Sequence, residues 1–239
     1  MISTSRITPT DSSRTHERYP VWEGIAPIPP DGLLWSVGGA TVENFLVVAD
    51  FWGQMMAPYI GPGTTVLDIG CGCGRSARTL LSHPYVARYI GFDVIAPNIE
   101  WCNRFLAPLS AGRAVFVHYD LYSAEYNPEA QKRASELVFP CEDAGAHLVI
   151  ANSVFTHLLE PDAFHYLQEI ARTLTPGGHA LLSIHVHPAA GQRFSGNETR
   201  IDISPEYFVE LATAAGLVVR RRVDEFCGQM LFVFSRAIA

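Results

Sequence analysis

The sequence predicts an α/β fold built on a doubly wound, seven-stranded sheet, mostly parallel and closed by an antiparallel C-terminal hairpin. Three observations predict it. From residue 64 onward, short apolar runs alternate with segments of helical periodicity, the pattern of a parallel sheet with right-handed crossovers. The first apolar run leads straight into a loop dense in glycine and then into a helix. The last two runs, 217–223 and 230–235, are joined too closely to hold a helix, so they pair antiparallel.

A chain of 239 residues can bury a sizeable core without staples, and 48% hydrophobic against 17% charged residues marks a globular protein rather than a disordered one. The net charge of -7 repels phosphates, so no nucleic-acid partner is expected. No uninterrupted apolar run reaches the length of a bilayer span, so no membrane partner is expected either. The five cysteines, at 71, 73, 102, 141 and 227, are odd in number and match neither a disulfide framework nor a zinc pair. Together with an N-terminus lacking the apolar stretch of a signal peptide, they predict reduced thiols and a cytoplasmic location. Nothing in the composition specifies an oligomeric state.

The elements follow in order. Residues 1–18, rich in Ser, Thr and Arg, are expected to form a flexible tail. Residues 19–40 carry Tyr19, Trp22, Trp35 and four prolines, and are expected to pack as an irregular lid or strap, with Gly38-Gly39 as a hinge. The main domain spans 41–239. It opens with a helix whose Val42, Phe45, Leu46, Ala49, Trp52 and Met56 share a face, ended at Pro58. Strands are expected at 64–69, 89–93, 113–119, 147–152 and 179–185, besides the final pair. Helices are expected at 75–81, 97–106, 162–174 and 205–216. Residues 121–145 read as a long connection with a short helix, and 175–178 as a turn.

Chemistry concentrates in Val66-Leu67-Asp68-Ile69-Gly70-Cys71-Gly72-Cys73-Gly74-Arg75. Glycine lets the chain turn sharply and a ligand approach the backbone, and a bare turn does not require three alternating glycines. Asp93 ends the second strand about 20 residues beyond the loop, where a carboxylate can accept both hydroxyls of an adenosine ribose. The arrangement is Rossmann-like. A dinucleotide cofactor fits it less well. Gly70-x-Gly72-x-x-Arg75 misses the fingerprint at its last position, and Asp68 would repel a pyrophosphate but welcome a cationic amino group.

Asp68-x-Gly70-x-Gly72-x-Gly74 resembles motif I of the class I S-adenosylmethionine-dependent methyltransferases, small-molecule type. Asp93 is similar to their ribose-binding acid, and Asp120 to the acid that bonds the adenine amino group in many members. Asn152-Ser153-Val154-Phe155-Thr156-His157-Leu158 and Leu174-Thr175-Pro176-Gly177-Gly178 resemble the segments after strand four and before strand five. Trp35-Ser36-Val37-Gly38-Gly39 and Trp101-Cys102 also resemble that branch, and the likeness covers roughly residues 41–235. It implies S-adenosylmethionine as cofactor, held by Asp68, Gly70, Cys71, Gly72, Gly74, Asp93, Val94, Asp120, Leu121 and Asn152, and methylation of an O or N atom of a small-molecule acceptor. Two rivals stay open: a non-catalytic domain that binds this cofactor, and a nucleotide-dependent oxidoreductase.

A general base is needed only where the acceptor arrives protonated. His157 is the candidate, or else a side chain that braces its loop through backbone hydrogen bonds. His185 and His187 lie at the functional edge of such a sheet, but no third ligand with metal-site spacing is visible, and no metal is expected. Arg75 opposes the dipole at its helix start, which fits either a ligand carboxylate or a solvated side chain.

Overall fold

A computed structural model describes residues 27–38 and 41–237. The expected tail 1–18, together with Tyr19, Trp22 and Gly39, lies outside the described residues. Nine strands occur among the described residues: β1 (Thr64–Ile69), β2 (Val86–Asp93), β3 (Ala114–His118), β4 (Ala146–Ala151), β5 (Leu174–Ile184), β6 (Phe194–Asn197), β7 (Arg200–Ile203), β8 (Leu217–Phe226) and β9 (Gln229–Arg236). Seven form one sheet in the order β3-β2-β1-β4-β5-β9-β8, and β6 with β7 forms a separate hairpin. The helices are α1 (Asp31–Leu34), α2 (Val42–Met56), α3 (Arg75–Ser82), α4 (Ala96–Trp101), α5 (Glu160–Thr173) and α6 (Pro205–Ala214). Doubly wound order, parallel pairing and antiparallel end all match the expected class.

The chain divides into two compact units, which meet in sequence between Tyr119 and Asp120. In the first, β1, β2 and β3 pair in parallel. The apolar periodicity of α2 is realised as a buried face of Phe45, Ala49, Trp52 and Met56, with Thr41 capping the helix through the Asn44 amide. A Cβ at Gly53 would stand 2.8 Å from Thr79 Cγ2, so this glycine lets α2 lie close on α3. A π-helical turn, Cys102–Leu106, carries α4 on to the expected length. Of the strap, Pro27 to Gly38 is described, and it contains α1 and a 3₁₀ turn, Trp35–Val37. Leu34 is buried there against Phe45 and Cys73, but Trp35 is 69% exposed and does not pack as its size suggested.

In the second unit β4 and β5 pair in parallel, and β5, β9 and β8 pair antiparallel. Phe208 on α6 packs against Phe155, Phe232 and Phe234, each fully buried or nearly so. Two expectations need correction, and one element is new. The turn at 175–178 is absorbed into β5, which begins at Leu174, with Gly177 at φ +80° and an irregular register opposite Ala146. The short helix within 121–145 is a single 3₁₀ turn, Ala134–Glu136. The β6–β7 hairpin was unforeseen, because only Ile201 and Ile203 carry an apolar alternation, and it needs Gly196, at φ +114°, where a Cβ would fall 2.0 Å from the Arg200 carbonyl oxygen. No single helix among the described residues is long and apolar enough to cross a membrane.

Candidate cofactor and active site

The first unit supplies a glycine loop held from two sides. Gly70, Gly72 and Gly74 all have positive φ, at 64°, 55° and 85°, conformations that cost a residue with a Cβ roughly 1–2 kcal/mol. The Cys71 amide donates to the Phe92 carbonyl, carrying the ladder past the end of β1. The Asp93 carboxylate closes the other side. Its Oδ2 accepts from the Gly72 amide and its Oδ1 from the Ile95 amide, each at 2.8 Å. Burial pushes this carboxyl up, and the amides of Ile95, Gly72 and Val94 pull it back. Val94 itself is half-buried, with its carbonyl 3.3 Å from His118 Nε2.

Asp68 is buried and accepts a 2.5 Å hydrogen bond from the Tyr89 hydroxyl. Desolvation raises its pKa to about 7, so at neutral pH the group is poised between acid and carboxylate rather than fixed as an anion. Cys71, Cys73 and Cys102 are buried thiols, all raised by desolvation, Cys73 to about 12. They are protonated at neutral pH and fill space beside the loop.

Packing from the strap and from the turn after α4 changes the reading of two glycines. A Cβ on Gly72 would fall 2.3 Å from Val37 Cγ1, and one on Gly74 2.2 Å from Leu106 Cδ1. At these positions the missing side chain makes room for the protein's own packing. The strap is tied down by polar contacts as well. Arg75 Nη1 donates to the Val37 carbonyl at 2.6 Å, and Arg78 Nη1 to the Pro27 carbonyl at 2.7 Å. Ser36 Oγ donates to the Leu33 carbonyl at 2.7 Å and accepts from Asn98 Nδ2 at 3.0 Å. Arg75, read as a ligand-facing or solvated cation, is instead buried under the strap.

In the second unit Asp120 is exposed, and its Oδ1 accepts from Asn127 Nδ2 at 2.9 Å. Leu121 is buried, and its carbonyl takes a second bond from the same amide. Past the end of β4, Asn152 Oδ1 accepts from Ser153 Oγ, which in turn accepts from Gln229 Nε2 at 2.7 Å. Ser153 stands at φ +61° with its amide bonded to Ser183 Oγ. A non-glycine residue in this region at a strand end is stored strain of the kind found at working sites. The bond between Ser153 and Gln229 had no sequence signal, for they lie 76 residues apart.

His157 follows on the same loop, its side chain 21% exposed. Nδ1 lies 3.1 Å from the Glu198 carbonyl and 3.2 Å from Glu125 Oε2, and Nε2 lies 3.3 Å from the Tyr126 hydroxyl. The backbone bond that a bracing role requires is present, and so is a second nitrogen directed elsewhere. Near the β6–β7 hairpin, burial and Arg200 hold His185 below its usual range. Burial would raise the Asp202 carboxyl, but Arg200 and the His187 amide bring it below the usual range. Among the described residues no three His, Cys, Asp or Glu side chains gather into a metal-binding group.

Residues 66–178 match the family described as "Methyltransferase domain". Over these residues the chain carries a methyltransferase domain. It is 31% identical to a fatty-acid O-methyltransferase of Mycolicibacterium smegmatis over 69% of this chain and 48% of that one. It is 28% identical to a carboxy-S-adenosyl-L-methionine synthase of Pseudomonas putida over 67% of this chain and 59% of that one. The chain thus spans about half the length of the curated relatives it matches. Among solved structures, 1,6-didemethyltoxoflavin-N1-methyltransferase of Burkholderia thailandensis, with bound 1,6-didemethyltoxoflavin and S-adenosylhomocysteine, superposes with a TM-score of 0.60 at 19% identity. That match covers 89% of this chain and 93% of the other, and shows that the methyltransferase domain shares its fold. The cofactor of this family is S-adenosylmethionine.

Proposed function

We propose that the protein transfers a methyl group from S-adenosylmethionine to an O or N atom of a small-molecule acceptor. The observation that carries this is Asp93: a buried carboxylate at the end of β2, with Oδ2 held by the Gly72 amide, Oδ1 by the Ile95 amide, and acceptor capacity left on the group. Its two oxygens fit the two hydroxyls of a ribose. Asp68, Gly70, Cys71, Gly72, Gly74 and Val94 complete the cofactor contacts in the first unit. When bound, the cofactor's sulfonium supplies a methyl group with a good leaving group already attached. The protein's share of the work is to orient the acceptor, exclude water and, for a protonated acceptor, receive its proton at His157. The names of two relatives, an O-methyltransferase and an N-methyltransferase, support the acceptor class.

Titration calorimetry in the presence of a chelator tests the binding half. Saturable binding of S-adenosylmethionine and S-adenosylhomocysteine is expected, and tight NADH binding without a response to either would overturn it. An acceptor screen that follows S-adenosylhomocysteine release tests turnover. Tight binding with no release across the screen would favour the non-catalytic reading.

A further inference from the structure

His157 has hydrogen-bonding partners that settle its tautomer. Both groups beside Nδ1, the Glu198 carbonyl and the Glu125 carboxylate, can only accept, so the proton of the neutral ring sits on Nδ1. Nε2 is then the basic nitrogen, and its neighbour, the Tyr126 hydroxyl, is the donor to it. The tyrosine ring stands edge-on to the imidazole, with centroids 5.1 Å apart. A tight turn carries both new residues. The Ser123 and Asn127 backbones exchange hydrogen bonds, the Tyr126 amide bonds Ser123 Oγ, and the Asn127 side chain anchors the turn to Asp120 and Leu121. Arg133 lies 3.5 Å from the Glu198 side chain, which leaves Glu125 as the carboxylate facing the ring.

We propose that Glu125, His157 and Tyr126 form a proton relay for a hydroxyl acceptor, with Tyr126 as the residue that meets the acceptor. This rests on the methyl-transfer reading above and narrows it to acceptors that must lose a proton. As the acceptor oxygen bonds to the methyl carbon, the methyl–sulfur bond breaks and its electron pair stays on sulfur. The acceptor's hydroxyl proton passes to Tyr126 Oη while the tyrosine's own proton passes to His157 Nε2. Glu125 stabilises the imidazolium that results, and is a positioning residue. A carboxylate acceptor is already ionised at neutral pH and has no use for the relay.

The test uses the full chain and has two arms. In the first, long-range ¹H–¹⁵N NMR of the histidines, in the presence of S-adenosylhomocysteine, reads the tautomer. The Nδ1–H form is expected, with the His157 Nε2 signal displaced in Tyr126→Phe. An Nε2–H form, or a signal indifferent to Tyr126→Phe, overturns the relay. In the second arm, catechol and octanoate are the probe acceptors. Tyr126→Phe and Glu125→Gln are expected to lower kcat on catechol by about 10–100-fold with KM and S-adenosylhomocysteine affinity held, and to lower it at least tenfold less on octanoate. Equal losses on both probes, or none on catechol, overturn the relay. Failure to bind S-adenosylmethionine at all is a different result, and overturns the methyl-transfer reading itself. Where neither probe is methylated, the tautomer decides.

Discussion

The units 27–119 and 120–237 face the same problem: each must hold an irregular connection that carries chemistry. The first solves it with buried groups and short reach. Asp93 pins the glycine loop from 21 residues away, and Arg75 is buried under the strap that it bonds. The second solves it with half-exposed groups and long reach. His157 is held by Tyr126 and Glu198, 31 and 41 residues away, and Ser153 by Gln229 at 76. Under the proposed function, the contrast teaches where each kind of binding would be built: a cofactor of fixed shape rewards a rigid, desolvated cradle, whereas an acceptor surface is assembled from loops that vary without disturbing the core.

The sharpest way to break this comparison is Asp93→Ala. Sequence alone suggests a loss of cofactor affinity with the fold intact. The structure adds a buried amide, of Gly72, and a part-buried one, of Ile95, left without an acceptor, the first worth about 1–3 kcal/mol. Urea unfolding should therefore show lost stability even without cofactor, and calorimetry should show lost affinity. An unchanged unfolding midpoint would mean that the loop holds itself.

Gly72→Ala comes next, at roughly 2–4 kcal/mol, from a left-handed backbone and the contact with Val37. Adding Val37→Ala should recover the steric part and leave about 1–2 kcal/mol of backbone cost. No recovery in this double-mutant cycle would separate the strap from the loop.

Asp68 offers a pH test. Its folded-state pKa of about 7 lies above the free value of 3.8, so the folded protein binds that proton more tightly than the unfolded chain. The resulting cost is absent below the ordinary carboxylate range, grows as pH rises toward about 7 and is complete above it. Asp68→Asn keeps an acceptor for Tyr89 and should stabilise the protein at pH 8 by on the order of 2 kcal/mol, with the gain fading toward pH 4. Thermal melts across that range check it, and a gain independent of pH would discredit the buried-acid account.

The smallest effect is expected at Trp35. Being 69% exposed, it should shift unfolding by no more than about 0.5 kcal/mol when changed to Ala. Deleting residues 1–40 should destabilise the protein instead, because Arg75 and Arg78 lose their carbonyl partners at Val37 and Pro27. A folded, fully active deletion would count against the strap.

The sequence by itself determined the parts governed by local periodicity and backbone geometry. Alternating apolar runs specified the order of strands and helices, the short link between 223 and 230 specified the antiparallel end, and Asp68, the glycines and Asp93 marked the cradle, because a strand, a left-handed turn and a strand-end acid are written in neighbouring residues. Only the tertiary structure decided what meets across distance: that Val37 fills the space above Gly72, that Arg75 turns to the strap, and that the β6–β7 hairpin brings the Glu198 carbonyl to His157. Glu125 and Tyr126 carried no signal of spacing or composition. Their role comes from a turn placed beside a histidine in another loop, and such proximity is a product of packing that no local pattern encodes.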